Sequence, residues 1–127
     1  MTAADFDRIV ARACARIPAR FRRRMKNLAI MVEPEPNEQQ LRFAGRGRTL
    51  LGLYEGRPLT QRSVFEAFAM PDRITIFQGP HERAAVSHEH LVKMVEETVW
   101  HEVAHYFGLN ELEVGAAERR RRRRPLE

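Results

Sequence analysis

The sequence predicts an α+β domain, with a small mixed sheet of about three or four strands packed against an N-terminal helix and one long helix near the other end. Three observations lead there. Apolar residues recur at helical spacing over residues 3–16 and again over 88–107. Between them lie short apolar runs bounded by Gly, Pro or Asn, the mark of strands. At 127 residues, 43% of them hydrophobic, the chain suits one core rather than two.

Phe6, Ile9, Val10, Ala13 and Ile17 share one helical face, Thr2 can cap and Pro18 supplies a stop, so residues 3–16 read as an amphipathic helix. "LAIMVE" (28–33), held between Asn27 and Pro34, reads as a strand buried on both faces, and "EPEPNEQQ" after it as loop. "LLGLY" (50–54) is a second strand, closed by Gly56 and Pro58. In "TQRSVFEAFAM", Val64, Phe65 and Phe68 add to the core on a turn of helix. "RITIFQ" (73–78) alternates Ile74 and Ile76 against Thr75 and Phe77 until Gly79 and Pro80 end it, a third strand. Ser87 can cap the last element, in which Leu91, Val92, Val95, Val99 and Val103 keep helical spacing as far as Gly108.

The net charge is +5, but six of the 22 basic residues form the run Arg119–Arg124, and 5 − 6 leaves −1 for the remainder. The expected division is therefore a folded domain over residues 1–115 and an Arg-rich, solvated tail over 116–127, able to contact polyanions only without regard to sequence. A second basic group, Arg20 with Arg22, Arg23, Arg24 and Lys26, reads as the lining of an exposed helix end. Cys14 stands alone, which excludes an intramolecular disulfide and a multi-cysteine zinc cluster. Any metal must be held by His and carboxylates. The N-terminal stretch has no continuous apolar core of a signal peptide and no segment reaches membrane-spanning length, so the expectation is a soluble cytoplasmic protein.

"WHEVAHYFGLNELE" (100–113) contains the candidate site. At about 100° per residue, His101 and His105 lie one turn apart on one flank of the helix, beside the valine stripe. Two imidazoles there can reach one ion, while Glu102 faces between that flank and the core, placed to act on water rather than to ligate. A catalytic zinc keeps three protein ligands and one open position. Gly108 lets the chain turn back after the helix, and Glu111 is the first acidic side chain beyond it, Glu113 the second. The bare five-residue motif arises by chance in a chain of this composition with a probability of roughly two per cent, and adding the glycine and the acid lowers this to the order of 10⁻⁴. That favours a metal site over a hydrogen-bonded histidine pair at a core edge.

These residues resemble the active-site helix of the small bacterial zincin-like metallopeptidases. The likeness continues through "LLGLYEGRPLTQR" and "DRITIFQGP", and more faintly through the first helix ending in "RIPARF", over most of residues 5–113. The resemblance implies a zincin-like α+β fold, Zn²⁺ on His101 and His105 with an acidic third ligand matching Glu111, Glu102 as catalytic base, and peptide substrates. The extended spacing is also similar to that of metzincins with the third His replaced by a carboxylate. No Met follows Glu111, so the methionine turn of that group has no counterpart. By resemblance, substrate backbone pairs with an exposed edge strand, for which "RITIFQ" is the natural candidate. Tyr54, Arg57, Arg62 and Tyr106 are available to donate to a tetrahedral oxyanion.

Two other readings compete with a zinc peptidase. A non-catalytic zinc-binding structural or interaction domain would close its coordination with a fourth protein ligand, for which the chain offers Glu113 or a stray His. Alternatively, the working part is the run Arg119–Arg124, binding polyanions from an inert body. Among the other tempting residues, His88 and His90 point to different sides of an exposed first turn. His81 reads as a loop residue, Trp100 as a packing residue and Cys14 as a small buried hydrophobe.

Overall fold

The computed structural model describes residues 1–44, 50–56 and 72–108. Helix α1 (Ala3–Ala15) starts at a reciprocal cap, in which Thr2 Oγ1 accepts from the Asp5 amide at 3.1 Å and the Asp5 carboxylate accepts from the Thr2 amide at 3.2 Å. It buries Phe6, Val10 and Ala13, as the spacing predicts. The short helix α2 (Ala19–Arg22) follows Pro18. Asn27, at φ 58, then turns the chain into strand β1 (Leu28–Glu33). Helix α3 (Glu38–Ala44), strand β2 (Gly52–Glu55), strand β3 (Asp72–Phe77), helix α4 (Gln78–Ala84) and helix α5 (His88–Tyr106) complete the order.

The sheet runs β1-β3-β2, with β1 parallel and β2 antiparallel to β3. Ile30 stands beside Ile74 in the first pair, and Tyr54 beside Ile74 in the second. The order corrects two expectations. The strand containing "RITI" is central, with both backbone edges bonded to neighbours, so it cannot take up a substrate strand. Among the described residues "LAIMVE" pairs with one strand alone, and it is half-buried, with Met31 41% exposed, rather than buried on both faces. Ile74 and Ile76 enter the core formed with Phe6, Val10, Leu91, Val95, Val99 and Val103, but burial does not alternate along β3, since Thr75 and Phe77 are fully buried as well. Each of these buried apolar side chains contributes about 1.5–3 kcal/mol of transfer free energy.

Two helices stand where the sequence reads loop or stop. Residues 37–40 of "EPEPNEQQ" form a cap, the Gln40 amide donating to Asn37 Oδ1 at 2.7 Å and the Asn37 amide to Gln40 Oε1 at 2.9 Å, and α3 continues from it. Gly79 and Pro80 end β3 but also open α4, since Pro in a first helical turn forfeits no intrahelical bond. The Gly79 amide donates to the Pro34 carbonyl at 2.8 Å and Arg83 pairs with Glu35, tying α4 to the end of β1. The segment "TQRSVFEAFAM" and residues 116–127 lie outside the described residues. Among the described residues, no helix is long and apolar enough to cross a membrane.

Candidate metal centre

Helix α5 places the site. Ser87 Oγ accepts from the His90 amide at 3.1 Å and starts the helix. Leu91, Val95, Val99 and Val103 then bury one face against α1 and the sheet. That burial fixes the rotation of α5 and sets His101 and His105 at the border of the core, both half-buried. Their rings lie 4.8 Å apart between centroids, and the two Nε2 atoms approach to 3.1 Å. Zn–N bonds of about 2.0–2.1 Å meeting at a tetrahedral angle separate two nitrogens by about 3.3 Å, so this pair fits a shared zinc ion. Two imidazole lone pairs aimed at one point need a proton or a cation between them.

Glu102 is buried at 9% exposure on the adjoining face. Strand β2 crosses it there. A Cβ added to Gly52 would stand 2.6 Å from Thr98 Cγ2 and 3.3 Å from Glu102 Cγ, so the bare backbone of Gly52 packs straight onto the helix. Among the described residues no three His, Cys, Asp or Glu side chains gather as a metal-holding group. Glu102 is accordingly not a third member beside the histidines. The helix ends where the sequence places its break: the Gly108 amide donates to the His105 carbonyl at 2.9 Å, and Gly108 takes φ 84. Glu111 and Glu113, the candidates for an acidic ligand, lie outside the described residues, as do Arg57 and Arg62.

Both tyrosines offered as oxyanion donors already have acceptors. Tyr54 donates to Asp72 Oδ2 at 2.6 Å, and Tyr106, 1% exposed, donates to the Lys26 carbonyl at 3.0 Å. Trp100 packs edge-on against Phe21, as expected of a packing residue. Cys14 is partly buried against the core, and burial pushes its thiol pKa up. His88 and His90 are exposed at the first turn of α5, where His90 Nδ1 accepts from the Val86 amide at 3.0 Å.

His81 departs most from its reading. It is fully buried in α4, with Nδ1 donating to the Phe77 carbonyl at 2.7 Å and Nε2 lying 2.9 Å from Thr98 Oγ1, whose hydroxyl donates to the Met94 carbonyl at 2.8 Å. Burial pushes the imidazole pKa below its usual value, against the hydrogen bonds to Phe77 and Met94 that raise it. The signal available in the sequence was Pro80, read as a strand stop although it serves equally as a helix opener. Thr98 and Gly52, the residues that join α4, α5 and β2 around Glu102, carry no local motif.

The sequence pattern of the zincin-like metallopeptidases matches residues 25–120 of this chain. Among solved structures, a conserved hypothetical protein from T. thermophilus is similar, with 26% identity and a TM-score of 0.58 over 92% of this chain and 99% of that one. No curated protein matches the sequence.

Proposed function

Because the chain belongs to the zincin-like metallopeptidase family, we propose that it is a zinc-dependent peptidase. The observation that supports this reading most directly is the approach of His101 Nε2 to His105 Nε2 at 3.1 Å, with Glu102 buried beside them under β2. In this reading His101, His105 and Glu111 would hold the ion. When bound, zinc supplies Lewis acidity, acidifying water and polarising a carbonyl. Glu102 takes the proton from the attacking water and hands it to the departing amine. Packing against the bare backbone of Gly52 restricts the carbon stem of Glu102. The peptide pairs with the outer edge of β2, which no strand among the described residues takes up and which lies over Glu102, and not with central β3.

The test is zinc content after mild purification of wild type and Glu102→Gln side by side, with hydrolysis of a broad peptide library followed in the same samples. The reading requires near one zinc per chain in both proteins and cleavage by wild type alone. Equal zinc without cleavage in either would make the site structural, and no zinc in either would remove the metal from the account.

A further inference from the structure

From Arg8 to Lys26 the chain holds eight basic residues and no acidic one. The fold turns this into a surface. Arg8, Arg12 and the C-cap Arg16 follow one another at single-turn spacing along the exposed face of α1, and an open groove of about 390 Å³, lined by Asp5, Arg8 and Arg12, reaches His88. The row continues through α2 with Arg20 and Arg22 and beyond it with Arg23, Arg24 and Lys26, all exposed. Arg8 is paired with Asp5 and Arg16 with Glu96. Among the described residues the other six have no ion pair.

This end of the row is mounted on packed structure. Arg20 holds its guanidinium carbon 4.9 Å from the Phe21 ring centroid and Arg24 holds its own 5.4 Å from that of Phe107. Phe21 in turn meets Phe107 and Trp100 edge-on at 5.6 Å, and Tyr106 on α5 donates to the Lys26 carbonyl. Trp100 and Phe107 lie roughly 100–160° around α5 from His101 and His105. The row is therefore a separate face and not a rim of the metal site.

We propose that this cationic row is a docking surface for single-stranded nucleic acid. A row of eight cations, six of them without an ion pair among the described residues, matches a polymer with a charge at every unit, and neutralising such a polymer releases counterions. A guanidinium lying against a ring keeps its outer face open, and unpaired bases stack on such planes. An acidic polypeptide offers the charge without the bases. The inference is independent of whether the metal site hydrolyses peptides.

The experiment is fluorescence anisotropy of a labelled 20-nucleotide oligo(dT) with the full chain at several salt concentrations. One variant carries Arg119–Arg124→Ser, which neutralises the tail. A second adds Arg12→Ser, Arg22→Ser, Arg23→Ser and Lys26→Ser, positions that touch no aromatic ring and leave the packing intact. A third adds Arg20→Lys and Arg24→Lys to the tail variant, keeping the charge while changing the planar group. The tail-neutral protein should still bind. The second variant should lose roughly tenfold or more, with the slope of log K against log salt falling by about 0.7 for each lost phosphate contact. The third should weaken binding several-fold, and poly-glutamate should compete poorly. Loss of all binding with the tail, affinity unchanged by the four serines or by the two lysines, or equal competition by poly-glutamate would each overturn the proposal.

Discussion

Thr98 presses its methyl group against the bare Cα of Gly52, so closely that a Cβ there would stand 2.6 Å from Thr98 Cγ2. The same Thr98 meets His81 through its hydroxyl, and Glu102 follows it one turn later on α5. Strand and buried imidazole are thus joined through one side chain, and the same glycine meets the candidate base.

Gly52→Ala overfills this contact and should destabilise the protein by about 1–3 kcal/mol in urea unfolding. Thr98→Ser deletes the methyl but keeps the hydroxyl that reaches His81 and Met94. The double variant should recover most of the loss. A double variant no more stable than Gly52→Ala alone would show that the contact is not the cause.

Zinc should raise the unfolding temperature of the metal-free protein, by about 2.7 kcal/mol of stabilisation at a hundred times the dissociation constant. His101→Ala and His105→Ala should each abolish that gain, while Glu102→Gln should keep it and lose hydrolysis by about 10²–10⁴-fold. A gain that survives in His101→Ala would place the metal elsewhere.

His81 sets a pH dependence. Its imidazole is held below the usual value of 6.5, so below that pH the unfolded chain binds the proton first. The stability is complete above pH 6.5 and is lost as the pH falls toward the folded pKa, by at most about 1.4 kcal/mol per pH unit. His81→Gln should flatten the curve of unfolding free energy between pH 6.5 and 5 relative to wild type. Parallel curves would mean that His81 does not titrate differently on folding.

Gly108 holds φ 84 directly after the helix. A side chain there costs about 1–2 kcal/mol, and Gly108→Ala should also redirect the chain that leads to Glu111. Zinc affinity, measured by competition with a chelator, should fall in Gly108→Ala more than in Ala→Gly at exposed Ala11 on α1. Equal affinities would separate the Gly108 turn from metal holding.

The sequence by itself determined the two main helices, their caps at Thr2 and Ser87, the break at Gly108 and the common flank of His101 and His105. These are local properties: helical periodicity, capping and positive φ act within a turn or two of the chain. The cap joining Asn37 and Gln40 was equally local and was hidden by the prolines before it. Only the tertiary structure decided that β3 is central among the described strands, because strand order comes from pairing across distant segments and leaves no mark within one strand. For the same reason it alone buried His81 against Thr98 and laid Gly52 over Glu102, contacts between residues on different elements that packing brings together.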